Sequence, residues 1–193
     1  AHSFDYEIYM NIKNKETKRY TKDRYVLFID QDLPQHPGFL YSGVSKHPVT
    51  AAVYYPSLVK FLSTLGKMTG FKVIISAHPR ADLKKTKEHF SDFRVSQGDT
   101  ANLIKNSELV VSHFSVAVSF AILFRKPILF ISSNQLMKSV HNNQIKRLTK
   151  VLKQRIFNLD EPDELLKYRR VLLSINPKFQ SFQDVYIKNP VNP

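Results

Sequence analysis

The run Phe71-Lys72-Val73-Ile74-Ile75-Ser76-Ala77 stops at His78-Pro79-Arg80, and one unit later a strand Leu109-Val110-Val111 leads to His113-Phe114-Ser115. Short apolar runs bounded by turn formers are the signature of strands buried on both faces, as in a parallel sheet. Both runs end in an imidazole with a cation or a hydroxyl just beyond. That combination marks the carboxyl edge of a parallel α/β sheet, where such sheets receive anionic ligands.

The same rhythm extends in both directions. Tyr25 to Ile29 reads as a strand closed by Asp30-Gln31-Asp32-Leu33-Pro34, and the spacing of Leu58, Phe61, Leu62 and Leu65 predicts a helix from Val53 to Met68 with Gly70 at its end. Helices are predicted over Ala81 to His89, Ala101 to Asn106 (capped by Asp99-Thr100), Ser115 to Phe124, Gln135 to Lys153 and Asp163 to Leu173. Further strands are predicted over Phe93 to Val95, Pro127 to Ile131 and Arg155 to Leu159. Repeated strand, helix, strand units require right-handed crossovers, so the expected fold is α/β, a doubly wound, mostly parallel Rossmann-like sheet of about six strands. Residues 1–24, polar and without a steady period, read as an irregular lead-in or linker. Residues 25–175 form the domain, and 176–193 a short helix and extended tail. Ala1-His2-Ser3 is no natural start, and the expectation is a piece cut from a longer protein.

Composition excludes several classes. With 193 residues and 42% hydrophobic content, the chain can bury one real core. It has no cysteine, which removes disulfide scaffolds and thiolate metal sites. The apolar stretches Val116 to Phe124 and Pro127 to Ile131 are split by Arg125-Lys126 and fall short of the roughly 20 residues of a membrane span. The 29 Lys and Arg against 16 Asp and Glu give a net charge of +13, which attracts nucleic acid, anionic lipid or phosphorylated metabolites without choosing among them. The excess gathers in Lys84-Lys85-Thr86-Lys87 and between Lys138 and Arg155, both in helical segments. Because no nucleic-acid motif accompanies it, a solvated basic face is the favoured reading and no nucleic-acid partner is expected. A face turned toward an anionic membrane stays open.

Five glycines and no Gly-x-Gly-x-x-Gly or Walker pattern argue against a nicotinamide dehydrogenase or a P-loop enzyme. Phosphate must then be held by helix amino termini and side chains. Ser115 follows a strand and offers its hydroxyl beside the backbone N–H groups of Val116 and Ala117, a role compatible with capping a helix. Thr100 reads the same way, with the cap favoured. His78, fixed by Pro79 and followed by Arg80, pairs imidazole with guanidinium in a manner suited to a diphosphate or carboxylate. His113 is evenly balanced between ligand and core. Asp30 and Asp32 point the same way on an extended chain and suit a general base or one shared cation, although turn chemistry is the better reading for at least one of them. No spacing compels a metal, and no Gly-x-Ser-x-Gly elbow exists. His36 and His47 lie in the loop Gln35 to Thr50, long enough to suggest a function.

The run His78-Pro79-Arg80, Gly98-Asp99-Thr100-Ala101-Asn102-Leu103-Ile104, Ser107-Glu108-Leu109-Val110-Val111, His113, Ser115, Ala117, Ala121 and Lys126-Pro127-Ile128 resembles the carboxyl-terminal nucleotide-sugar-binding domain of GT-B glycosyltransferases. More narrowly, a His-Pro pair followed by a hydroxyl-bearing strand end is similar to the motifs of bacterial sialyltransferases and related surface-polysaccharide enzymes. The resemblance spans half of the chain. It implies transfer of a sugar from a CMP- or UDP-linked nucleotide sugar in capsule or lipopolysaccharide biosynthesis. By that resemblance His78 would contact the nucleotide and phosphate and Ser115 the phosphate. Arg80 and His113 are expected to help neutralise the departing phosphate, with Pro79, Gly98 and Thr100 completing the binding residues; the base for the acceptor hydroxyl is expected elsewhere, and Asp30 or Asp32 is the candidate within this chain. No metal or cofactor is implied. The implied partners are a nucleotide-sugar donor and a glycan or glycolipid acceptor, and the implied location is the cytoplasm, at the inner face of the cell membrane. Two departures matter: His113-Phe114-Ser115 replaces paired hydroxyls and leaves the nucleotide open, and residues 1–24 cannot supply an acceptor domain. The expectation is the donor half of a larger enzyme. The alternative is a non-catalytic basic module for nucleic acid or anionic polymer, distinguished by salt-dependent polymer binding without nucleotide binding.

Overall fold

Parallel strands need crossovers, and in the computed structural model of the chain, which describes residues 4–15, 20–40, 46–169 and 172–173, helical segments build them. In chain order the elements are α1 (Phe4–Lys13), β1 (Tyr25–Ile29), α2 (Ala51–Thr69), β2 (Lys72–Ala77), α3 (Leu83–His89), β3 (Arg94–Gln97), α4 (Thr100–Asn106), β4 (Leu109–Ser112), α5 (Val118–Leu123), β5 (Ile128–Ser132), α6 (Asn134–Met137), α7 (Asn142–Leu152) and β6 (Ile156–Asn158). Among the described residues two 3-10 segments, Pro37–Phe39 and Pro162–Tyr168, complete them. The six strands pair in the order β3-β2-β1-β4-β5-β6, and every pair is parallel. The sheet is thus wholly parallel, a doubly wound Rossmann-like fold.

Alternation along each strand divides the core in two. Val26, Phe28, Val73, Ile75 and Val111 face α2, whose Leu58, Phe61, Leu62 and Leu65 are fully buried against them. Leu27, Ile29, Ile74, Val110 and Phe130 face the other way, onto Leu103 and Ile104 of α4 and the buried residues of α5. Each such side chain contributes about 1.5–3 kcal/mol. Gly70 ends α2 in the left-handed conformation at φ 72°, where a side chain would be strained, as its position in the sequence predicts.

Four readings need correction. Residues 1–24 carry α1 rather than an irregular lead-in. Its Tyr6, Ile8 and Tyr9 pack on the α4/α5 side of the core, Asp5 accepts from the Ser119 hydroxyl at 2.5 Å, and Lys105 Nζ donates to the carbonyls of Ile12 and Lys15 at its carboxyl end. The predicted helix Gln135 to Lys153 is two helices. Ser139 donates to the Leu136 carbonyl and Asn142 Nδ2 to the Met137 carbonyl, so side chains take the carbonyls that a continuous helix would use. The helix expected from Ser115 begins at Val118, after turns, and the last predicted helix is the 3-10 segment Pro162–Tyr168. The predicted tail 176–193 lies outside the described residues.

Candidate functional site

Helix α2, after β1, packs on one side of the sheet, and α4 and α5, after β3 and β4, pack on the other, so the chain reverses direction between β1 and β4. Ligands of open α/β sheets bind in the crevice at the carboxyl ends of strands at such a switch point. A cleft of about 710 Å³ opens there. Its walls are the ends of β1 and β2, the turn entering α4, the turns entering α5, and Asp5, Ile8 and Ile12 of α1. Of the residues expected from sequence it brings together Asp30, His78, Pro79, Gly98, Thr100 and Ser115; Asp32, Arg80 and His113 do not line it.

Asp30 continues β1 by one rung, its N–H donating to the Ser76 carbonyl at 2.9 Å. It is 2% exposed; Oδ1 accepts the Asp32 N–H at 3.0 Å, while Oδ2 is enclosed without a partner. Burial, reinforced by the nearby charge of Asp32, pushes its carboxyl up to about 7. A carboxyl poised there can exchange a proton at neutral pH. Asp32 turns away. At φ 50° its backbone makes a left-handed turn, its carbonyl accepts from Gln35 and His36, and Oδ1 accepts from the Tyr55 hydroxyl at 3.4 Å. Burial raises its carboxyl too.

His78 is half-buried. Nδ1 accepts the Arg80 N–H at 3.2 Å, and Gln97 Nε2, from the end of β3, donates to its carbonyl at 2.9 Å and to that of Ala81 at 3.0 Å. The His-Pro turn is therefore clamped by the neighbouring strand. Burial, then His36, then Arg80 hold the His78 imidazole below its usual value. Arg80 is exposed. Gly98 sits at φ 93° with open space where a Cβ would project, so its backbone conformation, not crowding, requires glycine. Thr100 Oγ1 and Ser76 Oγ are 2.7 Å apart on the cleft wall. Ser115 Oγ accepts the Ala117 N–H at 3.2 Å, which fixes the turns ahead of α5.

His113 lies in the core. It is 0% exposed, Nδ1–H donates to the Ile131 carbonyl at 2.8 Å, and Nε2 accepts from the Tyr54 hydroxyl at 2.8 Å. Burial pushes it down to about 4, a neutral ring with both nitrogens used. Strand parity could have found this: His113 shares a face with Leu109 and Val111, which pack under α2, whereas His78 shares one with Ile74 and Ser76. Sequence reasoning also missed Gln31, whose Oε1 accepts the Phe114 N–H at 3.0 Å and ties the two loops across the switch point, and the cleft wall made by α1. A second cleft of about 590 Å³, lined by Lys67, Lys72, Asp92 and Arg94 among others, lies at the opposite edge of the sheet.

No protein-family model matches the chain, and no curated protein matches it. Among solved structures, the glycotransferase of kitacinnamycin aligns at 11% identity and a TM-score of 0.49, over 88% of this chain and 41% of that one. A variant of the wall teichoic acid polymerase TagF aligns at 14% identity and 0.49, over 94% and 42%. The chain spans less than half the length of either neighbour. Likeness of this degree carries no weight for chemistry, which rests on the cleft.

The buried carboxyl yields a prediction. A folded value near 7, above the ordinary value near 4, means that Asp30 contributes stability below about pH 4 that is lost as pH rises to 7. Asp30→Asn, which keeps an oxygen for the Asp32 N–H, should therefore gain stability relative to wild type between pH 4 and pH 8, on the order of 2–4 kcal/mol. Urea unfolding across that range measures it, and a difference that does not change with pH would contradict the assignment.

Proposed function

We propose that the chain is the donor-binding domain of a glycosyltransferase that moves a sugar from a CMP- or UDP-linked nucleotide sugar to a glycan or glycolipid acceptor in bacterial capsule or lipopolysaccharide synthesis. The observation that carries this reading is the cleft at the β1/β4 switch point, which gathers His78, Thr100, Ser115 and a buried carboxyl from four separate segments. In this reading His78 and Ser115 hydrogen-bond the donor phosphate, and Arg80, exposed two residues on, adds positive charge. The acceptor oxygen forms a bond to the anomeric carbon as the carbon–oxygen bond to phosphate breaks. The nucleotide departs with the electron pair, and Asp30, the candidate base in this chain, takes the acceptor's proton. The chain's contribution is orientation and electrostatic stabilisation, the terms that dominate when a phosphate is the leaving group.

Thermal unfolding with CMP, UDP, GDP and their sugars tests the donor assignment. A ligand at 100 times its dissociation constant should stabilise the fold by roughly 2.7 kcal/mol, with a pyrimidine nucleotide giving the largest shift. His78→Ala and Ser115→Ala should each weaken binding by about 1.5–3 kcal/mol while the fold survives. No shift with any nucleotide would refute the donor reading.

The basic surface supports a working position at the inner face of an anionic membrane. Between Glu108 and Asp160 the sequence contains no acidic residue and eight basic ones. Lys138, Lys146, Arg147, Lys150 and Lys153 are exposed, beside exposed Val140 and Val151. No helix among the described residues is long and apolar enough to cross a membrane. A basic helical face with a few apolar side chains suits a surface bound by charge. Sedimentation with phosphatidylglycerol vesicles should show binding, lost on phosphatidylcholine and weakened roughly fivefold by each of Lys146→Gln, Arg147→Gln and Lys150→Gln, following about 1 kcal/mol per basic residue. Equal binding to both vesicles would contradict it, and tighter binding to nucleic acid than to vesicles would favour the basic-module alternative.

A further inference from the structure

The loop after β1 carries an imidazole that the chemistry above does not use. His36 Nδ1 accepts the Gly38 N–H at 3.0 Å, and its Nε2 is enclosed with no hydrogen-bond partner. Orphaned buried polar atoms cost stability and call for an explanation. A Cβ at position 38 would stand 2.8 Å from both Cε1 and Nδ1 of His36, so glycine is what lets the ring fold back over its own turn. The His36 ring meets the His78 ring edge to face, 4.4 Å between centroids and 69° between planes. His78 repeats the local arrangement, with Nδ1 accepting the N–H of the residue two positions on.

Those two backbone bonds decide the tautomers. A ring nitrogen that accepts an N–H carries no proton of its own, so the neutral form of each ring bears its proton on Nε2. Adding a second proton would break the bond at Nδ1 and place a charge beside another imidazole. The surrounding groups point the same way at His78, where burial, His36 and Arg80 all disfavour the charged ring. The carboxyls act in the opposite sense: Asp32, drawn to His36, His47 and His89, favours a charged His36, and Asp30 shares the cleft with His78, so it is the N–H donated to each Nδ1 that keeps that nitrogen bare.

We propose that His36 and His78 form a neutral, tautomer-locked imidazole pair in which His78 offers an Nε2–H hydrogen bond to the ligand's phosphate and His36 is the positioning residue that holds it. This rests on the reading that the cleft receives the phosphate of a nucleotide sugar. It makes recognition a matter of fixed hydrogen-bond donors, with the positive charge supplied by Arg80, and it requires no proton to be taken up on binding. An imidazolium that captures phosphate would behave in the opposite way.

Three measurements test it. Nitrogen-15 NMR of the histidine rings should find His36 and His78 protonated at Nε2 and bare at Nδ1 near neutral pH; a proton on Nδ1 of either overturns the lock. Calorimetric titration of Asp30→Asn, which removes the other group of the cleft that titrates near 7, with UDP-glucose and CMP-N-acetylneuraminate, whose esterified phosphates do not titrate near neutrality, should show no proton uptake in buffers of different ionisation enthalpy. Affinity should change by less than about twofold between pH 7 and 8.5, whereas uptake approaching one proton, with affinity falling toward tenfold per pH unit, overturns the proposal. In His36→Phe, which keeps a ring but loses its nitrogens, the His78 titration should move up toward the ordinary value of about 6.5. An unmoved His78 titration would reduce His36 to packing and refute its assigned role. If neither probe binds, the nucleotide-sugar reading and the phosphate contact fall together, while the tautomers, read on the free protein, separately decide the lock.

Discussion

Strand β1 is flanked by parallel ladders on both sides, Phe28 standing level with Ile75 of β2 and with Val111 of β4, and this double registration fixes where every functional loop emerges. The Asp30, His78 and Ser115 loops are neighbours because the three strands end at one edge. Helices on opposite sides of the sheet then leave a gap above β1 that no crossover fills. The cleft is a consequence of strand order, and its residues are whatever the sequence supplies one to three positions past each strand.

Around that gap the fold stabilises groups in states they would not hold in water. Asp30 has one oxygen engaged by the Asp32 N–H and the other enclosed without a partner, and His36 has an enclosed, unpartnered nitrogen. Asp32 adopts a left-handed backbone. Buried unpaired polar atoms and strained backbone cluster at sites where structure is given over to function. By contrast, His113 one strand away has both nitrogens satisfied and is a structural member of the core. The two histidines that follow β2 and β4, the strands on either side of β1, differ in role because parity turns them to opposite faces of the sheet.

Much of the fold was legible because buried parallel strands are uninterrupted apolar runs: Tyr25–Ile29, Lys72–Ala77 and Leu109–Ser112 stand within one residue of their expected bounds. Helix α1 was not, since it has no buried residue and is held by Asp5 to Ser119 and by Lys105 to the carbonyls of Ile12 and Lys15, partners 90 to 114 positions distant. The break between α6 and α7 depends on side-chain hydrogen bonds that carry no periodic signal. At the site, a strand-end motif indicated the edge but not the face, so His78, Thr100 and Ser115 arrive in the cleft while His113 goes beneath α2. His36 stood out only as a histidine in a long loop; its contact with His78 is a tertiary fact.

The central claim is that the cleft at the β1/β4 switch point binds a nucleotide sugar, and amide hydrogen exchange with and without UDP-glucose or CMP-N-acetylneuraminate tests it most directly. The account predicts slowed exchange in residues 77–80, 98–102 and 114–117, where three strand ends meet. Protection confined to the opposite edge, around Lys67, Lys72 and Arg94, or protection nowhere with either ligand, would contradict it.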